Sequence, residues 1–306
     1  MNNNIIIFGS ESILAQNFIN KYKCSNNNII SISRDHKNKE SLCCNLGEIM
    51  FPNQIEEIAS NIIKKLFFKE TIFILFAWYG GPRNKNDQDI YDKNINIISN
   101  FSNICKKVNP NKIIFLSSSG SIYPQNLKNY NFDEEDGPSP ITTYGKLKLL
   151  AERLISFFSE VYKIDCTILR IASAYGYDKR FSDQGVINKW LYNATTNQSL
   201  EIYNSINSQI NFISFDQISL AIMCSIDNDI IGIFNIGTDK SISLGEIINE
   251  IKKITKKEII LKKINNDCRF FNINTQKFYN HTGLKFKLNL HEDIKNIHNS
   301  IKLIMR

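Results

Sequence analysis

Tyr144 and Lys148 lie four residues apart at the start of "YGKLKLLAERLI", a segment with helical periodicity. Residues at i and i+4 share one face of a helix. A free tyrosine titrates at about pH 10, too high for useful proton exchange near neutrality, and a neighbouring ammonium lowers that pKa by stabilising the phenolate. The pair therefore predicts a proton-transfer group. The alternative is an ordinary amphipathic helix with a solvated lysine.

A serine-rich strand precedes this helix. The run "KIIFLSSS" (112–119) ends in Ser119, and a hydroxyl held near the tyrosine can polarise a carbonyl or alkoxide oxygen. The lysine ammonium can in addition hydrogen-bond a nicotinamide ribose. Ser119, Tyr144 and Lys148 together predict a metal-free site for hydride transfer beside a nicotinamide.

The first strand ends in a turn with the spacing Gly9-x-x-Ser12-x-x-Ala15. A dinucleotide-binding turn requires small residues at such positions, and it places the pyrophosphate at a helix N-terminus. Here the turn follows a strand and opens a helix, as that role requires. An ordinary strand–turn–helix connection is the alternative.

The second strand ends in "SISRDH", about 20 residues further on. NAD-specific sites usually place an acidic residue here to bind the ribose 2′-hydroxyl. Arg34 instead matches a 2′-phosphate by charge and by its forked geometry, so NADP is the predicted cofactor and NAD the alternative. In the second case Arg34 is a surface charge and Asp35 takes the ribose.

Apolar runs without alternation are separated by helical stretches along the first half of the chain. Such a pattern predicts a parallel sheet covered on both faces, hence an α/β, Rossmann-type doubly wound domain. Strands are expected at 4–9, 28–34, 71–78, 112–119 and 166–172, and helices at 11–22, 53–68, 91–107 and 144–162.

The pattern changes after about residue 175. We predict a dinucleotide-binding domain over 1–175, with return segments near 209–238, and a smaller α/β substrate-binding region over 176–306. From residue 241 onward two helices and one strand are expected. This smaller region should lie over the carboxyl ends of the sheet, where open α/β sheets bind ligands.

The 306 residues carry a formal net charge of +7, but the lysines are dispersed rather than clustered. A solvated surface explains them better than nucleic-acid binding does. Seven cysteines without a C-x-x-C pair and only four histidines argue against a zinc site and a disulfide framework, and for a reducing compartment. No signal peptide or membrane span is visible, so a cytoplasmic location is expected.

With these motifs the chain resembles the extended short-chain dehydrogenase/reductases, which act mainly on nucleotide sugars. The segments that carry the resemblance are "FGSESILAQNF", "FILFAW", "YDKNINIISNF", "FLSSSGSIYP", "DEEDGPSPITTYGKLKLLAE", "ILRIASAYG" and "IFNIG". It implies catalytic roles for Ser119, Tyr144 and Lys148. For the cofactor it implies Gly9, Ser12, Ile13, Leu14, Arg34, Asn45, Leu46, Ala77, Asn94, Ser117, Tyr144 and Lys148, and for the substrate Ser119, Ser121, Ser173 and Arg269.

Departures from the family pattern narrow the expected activity. Sugar dehydratases of the family carry an acidic pair where this chain has Gly120 and Ser121, so a dehydratase is disfavoured. Many nucleotide-sugar enzymes have Arg-Asp-Phe at the diphosphate, where this chain has Ile210, Asn211 and Phe212. Arg269 then either reaches a nucleotide phosphate or is a surface arginine.

The resemblance implies an NAD(P)-dependent nucleotide-sugar oxidoreductase, either a 4-epimerase or a 4-ketoreductase, in the biosynthesis of surface-polysaccharide sugars. "PITTYGKLKL" and "QGVINKWL" favour the epimerase, and Arg34 favours the reductase. It also implies a homodimer built through a four-helix bundle. A catalytically inactive, dinucleotide-binding regulatory or structural protein of the same fold is the alternative, supported by the degenerate glycine turn.

Overall fold

The predicted apolar runs form the central sheet because β-branched and aromatic side chains pack well on a pleated surface. The computed structural model describes residues 2–35, 41–81, 86–124, 127–177, 185–263 and 267–304. Its strands are β1 (Asn4–Phe8), β2 (Asn28–Ser33), β3 (Leu42–Cys43), β4 (Thr71–Leu75), β5 (Lys112–Ser118), β6 (Asp165–Ile171), β7 (Ser173–Tyr175), β8 (Leu200–Ile202), β9 (Gln209–Ser214), β10 (Gly232–Ile236), β11 (Ser241–Ser243), β12 (Leu261–Lys263) and β13 (Phe270–Phe271).

Helices follow most strands of the first half, as the 3.6-residue periodicity predicts. They are α1 (Ile13–Tyr22), α2 (Pro52–Ile63), α3 (Asp87–Val108), α4 (Ser119–Ile122), α5 (Thr143–Tyr162), α6 (Val186–Thr195), α7 (Phe215–Asp227), α8 (Leu244–Thr255), α9 (Gln276–Thr282) and α10 (Leu290–Ile304). The predicted helix at 53–68 ends earlier, at Ile63, where the C-cap is Lys64.

Seven strands form the main sheet in the order β10-β6-β5-β4-β1-β2-β3. β1 pairs in parallel with both β2 and β4. The strand order reverses at the β1–β4 pair, and open α/β sheets bind ligands in the crevice at the carboxyl ends of such a pair. This arrangement confirms the Rossmann-type doubly wound fold.

One face of this sheet is covered by α2, α3 and α5. Apolar side chains from the three helices, such as Ile58, Phe101 and Ile155, share one core with Phe8 and Phe115 of the strands. α3 and α5 also pack against each other. The core thereby fixes α5, which carries Tyr144 and Lys148, against the sheet.

The described chain divides into two compact units. The first comprises 1–122, 138–170 and 222–234, and the second 123–137, 171–221 and 235–306. The second unit holds a four-stranded sheet of β11, β9, β13 and β7, and the β8–β12 pair. Its core includes Trp190, Ile247 and Ile297. The division into dinucleotide-binding and substrate-binding regions remains a prediction.

The prediction of two helices and one strand after residue 241 was wrong. The described residues there form three helices and three short strands. Strands of two or three residues, such as β13, are too short to show a period-2 pattern. β13 is defined by its pairing with β9, which the sequence does not reveal.

Candidate active site

Tyr144 lies in the first turn of α5, at a helix start that is fixed by two contacts. The Thr142 hydroxyl caps the helix by accepting a hydrogen bond from Gly145 N at 3.1 Å. Gly145 packs so closely on α4, which directly follows β5, that a Cβ atom there would lie 2.2 Å from the Ser121 carbonyl oxygen. These contacts bring the first turn of α5 against the serine-rich segment.

The hydroxyl that hydrogen-bonds Tyr144 is that of Ser118, the last residue of β5. Ser118 is partly exposed and also donates to the Ser121 hydroxyl at 3.3 Å. Ser119 is fully buried at the start of α4. Two serines therefore stand close to the tyrosine helix, and the assignment of the polarising role to Ser119 stays a prediction.

The Lys148 side chain is buried and points toward the sheet. Its Nζ donates a hydrogen bond to the Leu116 carbonyl oxygen at 2.7 Å and lies 4.0 Å from the centre of the Trp78 ring. The distance to the centre of the Tyr144 ring is 6.0 Å. The tyrosine and the lysine thus lie on the same face, as their spacing predicts.

Burial shifts the pKa values of both Tyr144 and Lys148. It raises the pKa of Tyr144 to about 12, against the lowering effect of the hydrogen bond with Ser118. Burial also lowers the pKa of Lys148 to about 7, and the charge of Glu152 partly opposes this. The lowering of the tyrosine pKa that the sequence suggests is therefore absent in this structure, because desolvation of the phenolate outweighs the help it receives.

The glycine turn joins three strand ends. Gly9 has φ +83°, and an added Cβ would lie 2.5 Å from Ala77 N, so only glycine fits there. The amides of Gly9 and Ser10 both donate to Ile32 O at 3.0 Å. This turn brings β1 against the ends of β2 and β4, where the crevice is expected.

Ser12 serves as the N-cap of α1. Its hydroxyl accepts a hydrogen bond from Ala15 N at 3.3 Å. Ile13 and Leu14 supply the first two amides of the helix, which have no intrahelical acceptor and point to where an anion is stabilised. The predicted pyrophosphate position thus has the geometry of a helix N-terminus.

Arg34 and Asp35 are both exposed at the end of β2. The Arg34 carbonyl oxygen accepts from Cys43 Sγ at 3.2 Å, and the Asp35 carbonyl oxygen accepts from Ser33 Oγ at 2.7 Å. The two hydrogen bonds fix the backbone carbonyl groups of Arg34 and Asp35, while both residues stay exposed to solvent. The roles of Arg34 at a 2′-phosphate and of Asp35 at the ribose stay predictions.

Three further predicted cofactor residues hold the backbone around the crevice. Asn94 is fully buried, and its amide accepts from Tyr79 N at 2.9 Å and donates to Tyr79 O at 3.0 Å. Asn45 turns the chain by accepting from Gly47 N at 3.2 Å, and Leu46 belongs to the core. Their visible contacts shape the loops that follow β3 and β4.

A nicotinamide dinucleotide fits these residues, because the crevice holds polar atoms that need partners. Five buried side-chain polar atoms lack a hydrogen-bond partner among the described residues, and three of them lie at the ends of β1, β4 and β5: Ser10 Oγ beside the glycine turn, Trp78 Nε1 after β4 and Ser117 Oγ on β5. Buried polar groups are normally hydrogen-bonded. Because these atoms lie at three neighbouring strand ends, a polar ligand bound along the crevice could supply their hydrogen-bond partners.

The two other predicted substrate residues lie in the second unit. Ser173 begins β7, where it pairs with Phe212 of β9. Arg269 is exposed, and its backbone amide donates to Ser208 Oγ at 3.0 Å. Their substrate contacts remain predictions.

Sequence analysis did not assign three residues that surround the predicted catalytic pair, Tyr144 and Lys148. Ser118 stands one position before the expected serine, and Trp78 received no role. Glu152, buried one turn beyond Lys148, forms an ion pair with Arg170 at 2.8 Å. The i, i+4, i+8 spacing of Tyr144, Lys148 and Glu152 was the available signal for the last of them.

Comparison with known families decides the identity of this architecture. The profile of the NAD dependent epimerase/dehydratase family matches residues 5–237, which span both the glycine turn and the tyrosine helix. The chain belongs to this family.

Individual members of the family differ in their reactions. A Methanocaldococcus jannaschii protein named "Putative UDP-glucose 4-epimerase" is 29% identical over 62% of this chain and 63% of its own length. An Escherichia coli dTDP-4-dehydro-6-deoxyglucose reductase is 33% identical over 52% of each chain. The matched segment thus spans between about half and two thirds of these relatives.

Solved structures share the fold over nearly the whole chain. The Thermotoga maritima UDP-glucose 4-epimerase with UDP-glucose superposes with a TM-score of 0.84 at 20% identity, covering 99% of this chain and 100% of its own. The Bacillus cereus UDP-glucuronic acid 4-epimerase, in complex with UDP-glucuronic acid and NAD, gives 0.83 at 19% identity, covering 98% and 99%. At these identities the likeness concerns the fold.

The described part of the chain holds no group of three or more His, Cys, Asp or Glu residues placed to bind a metal ion. Among the helices described, none has both the length and the apolar character needed to span a membrane.

Proposed function

We propose that this protein is an NAD(P)-dependent nucleotide-sugar oxidoreductase that acts at a sugar carbon, as a 4-epimerase or a 4-ketoreductase. The observation that carries the proposal is the buried lysine beside a tyrosine whose hydroxyl bonds a serine at the end of β5. The nicotinamide, when bound, accepts or supplies the hydride. Tyr144 takes or returns the hydroxyl proton, a serine hydroxyl holds the sugar oxygen, and Lys148 supports the tyrosine.

Each of the two reactions is favoured by its own observations. The relative with the greater coverage is named as a UDP-glucose 4-epimerase, and epimerisation requires the same cofactor to remain bound through both hydride steps. The more identical relative is a reductase, and Arg34 favours an exchangeable NADPH. An inactive dinucleotide-binding protein remains the competing class, in which the serine, tyrosine and lysine have no reaction to perform.

The deciding experiment identifies the retained dinucleotide by mass spectrometry and then supplies substrates. The purified protein is incubated with UDP-glucose, and proton NMR follows inversion at C4 without net cofactor consumption. In parallel, dTDP-4-dehydro-6-deoxyglucose is offered with NADPH, and absorbance follows cofactor oxidation. Inversion supports the epimerase and stoichiometric oxidation the reductase. Failure to bind any dinucleotide would leave the inactive protein as the leading hypothesis.

Arg34 provides a test of cofactor choice. If its guanidinium binds a 2′-phosphate, Arg34→Ala should weaken NADPH binding about 10- to 100-fold, the loss of a charge-assisted hydrogen bond, and change NADH binding by less than about threefold. Titration calorimetry measures the affinities of the variant and of the wild type for NADPH and for NADH. Arg153→Ala, at an exposed arginine of α5, is the matched control.

An equal loss for both cofactors would contradict the phosphate role of Arg34. Asp35→Ala then separates the remaining hypotheses, because Asp35 on the ribose 2′-hydroxyl should matter for NADH. If Asp35→Ala weakens NADH while Arg34→Ala is neutral, NAD is the cofactor.

We further propose a homodimer through the apolar face of α3 and α5. Exposed apolar side chains of α5 lie along this face, among them Leu154, Val161 and Phe157, the last of which is 65% exposed. Between the helices runs a groove of about 330 Å³, with Ile95 and Ile98 on the α3 side. Contiguous apolar surface of this kind marks association sites, and two such helix pairs would form a four-helix bundle.

Phe157→Glu should convert the dimer into a monomer, because it places a charge at the centre of the apolar face. Analytical ultracentrifugation at micromolar concentration measures the change. Phe67→Glu is the matched control, since Phe67 is 78% exposed and follows α2. A wild-type monomer, or a dimer that both variants retain, would contradict this interface.

A further inference from the structure

Trp78 reaches the catalytic pair from a loop that is held in place. It lies just beyond β4, where the Asn94 side chain hydrogen-bonds both the backbone N–H and the carbonyl oxygen of the next residue, Tyr79. The indole packs against Phe115 of β5 with ring centres 5.9 Å apart. The backbone clamp and the neighbouring ring leave Trp78 little freedom to move.

The rings of Trp78 and Phe115 lie next to the Lys148 ammonium. Nζ lies 4.0 Å from the centre of the Trp78 ring and 4.7 Å from that of Phe115. Its one visible hydrogen bond goes to Leu116 O, although an ammonium has three donors. A cation within about 6 Å of an aromatic face is attracted by the ring quadrupole, most strongly by tryptophan. The indole thus replaces part of the hydration that burial removes.

Trp78 also contacts the tyrosine. The two rings meet edge to face, with centres 6.4 Å apart and planes at 86°, an arrangement that aromatic pairs favour. The same indole therefore contacts both the proton-transfer group and the lysine that supports it.

We propose that Trp78 is a positioning residue for the proposed reaction, which holds the Lys148 ammonium in its charged form through a cation–π contact and packs Tyr144 beside it. This role rests on the proposed function, since it assigns the indole to the same site. The contact itself exists in the chain whatever the reaction is, and it can be measured without substrate.

The groups that act on Lys148 are few. Glu152, one turn along α5, raises the pKa of Lys148 and is itself paired with Arg170 of β6. Tyr144, one turn in the other direction, stays neutral up to high pH because burial raises its pKa. A titration near neutrality that reaches the indole is therefore that of Lys148.

The first experiment reads the contact directly. The chain has two tryptophans, and Trp190 lies in the core of the second unit, so Trp190→Phe leaves Trp78 as the sole tryptophan, whose emission is excited selectively over that of the tyrosines. Its fluorescence should titrate with a midpoint near pH 7, and Lys148→Met should abolish that transition. A flat profile, or a transition that survives Lys148→Met, would overturn the proposal even if the enzyme turns over.

The second experiment separates the cation–π attraction of the indole from its bulk. Trp78→Phe keeps an aromatic face and Trp78→Leu removes it. In the pH profile of kcat the limb assigned to Lys148 should move down by about 0.5–1.5 pH units in Trp78→Leu and by less in Trp78→Phe. Thermal unfolding confirms that both variants fold. Equal losses in the two variants with no movement of the limb would reduce Trp78 to a packing residue.

If no turnover is found for the wild type, the fluorescence titration still stands. A titrating indole without activity would retain the contact and refute the proposed function. An active enzyme whose indole fluorescence does not titrate would support the proposed function and refute the role of Trp78.

Discussion

Tyr144→Phe should lower turnover by about 10²- to 10⁴-fold, the usual contribution of a positioned proton-transfer group, while dinucleotide affinity changes less than about threefold. In the proposed mechanism the phenol oxygen exchanges the proton, and its removal leaves the ring packed edge-on against Trp78. Stopped-flow measurement of hydride transfer and calorimetry of cofactor binding give the two quantities. Tyr91→Phe, at an exposed position of α3, is the matched control.

The serine that assists the tyrosine can be found in the same assay. Ser118 hydrogen-bonds Tyr144 in the structure, whereas the family resemblance assigns this role to Ser119. Ser118→Ala and Ser119→Ala are compared at several pH values. A loss confined to Ser119→Ala means that the buried hydroxyl turns toward the substrate, and a loss confined to Ser118→Ala transfers the role to its neighbour. Substantial turnover in Tyr144→Phe would refute the mechanism as a whole.

The fold was predictable because its strands are buried on both faces. Continuous apolar runs such as 4–9 and 71–78 predict buried strands. Turn residues and segments with helical periodicity separate these runs, and this alternation leaves few alternatives to a parallel sheet. The second unit was harder to predict, because short strands such as β13 depend on partners far along the chain. Local pattern carries no information about such pairings.

At the site, the sequence supplied identities but not orientations. The i, i+4 spacing correctly placed Tyr144 and Lys148 on one face. It could not show that the Lys148 ammonium points at Trp78 and Leu116 O, because those groups come from the loop after β4 and from β5. For the same reason the pKa of Tyr144 was misjudged, since burial by distant residues, rather than the nearby lysine, dominates it.

Glu152→Gln should destabilise the protein by about 3–5 kcal/mol, the usual cost of breaking a buried ion pair from one side. Arg170 Nη2 lies 2.8 Å from Glu152 Oε2, and Nε is 3.2 Å from each carboxylate oxygen. The side chains are only 4% and 2% exposed. A neutral amide leaves the guanidinium charged and uncompensated. Urea unfolding at constant pH measures the change.

The double variant Glu152→Gln/Arg170→Met is the control for this prediction. Removing both charges should restore most of the lost stability, because the cost comes from the unpaired charge rather than from the lost attraction. If the double variant is as unstable as Glu152→Gln alone, the destabilisation comes from packing and not from charge.

The destabilisation should also depend on pH, because Glu152 acts on Lys148 as well. Burial lowers the pKa of Lys148 to about 7, against about 10.4 in an unfolded chain, so stability rises with pH between these values as the unfolded state holds the additional proton. Glu152 opposes this shift only while Lys148 is charged. The loss in Glu152→Gln should therefore be larger at about pH 6 than at about pH 9. A loss that is independent of pH would mean that Glu152 stabilises Arg170 alone and has no part in keeping Lys148 protonated.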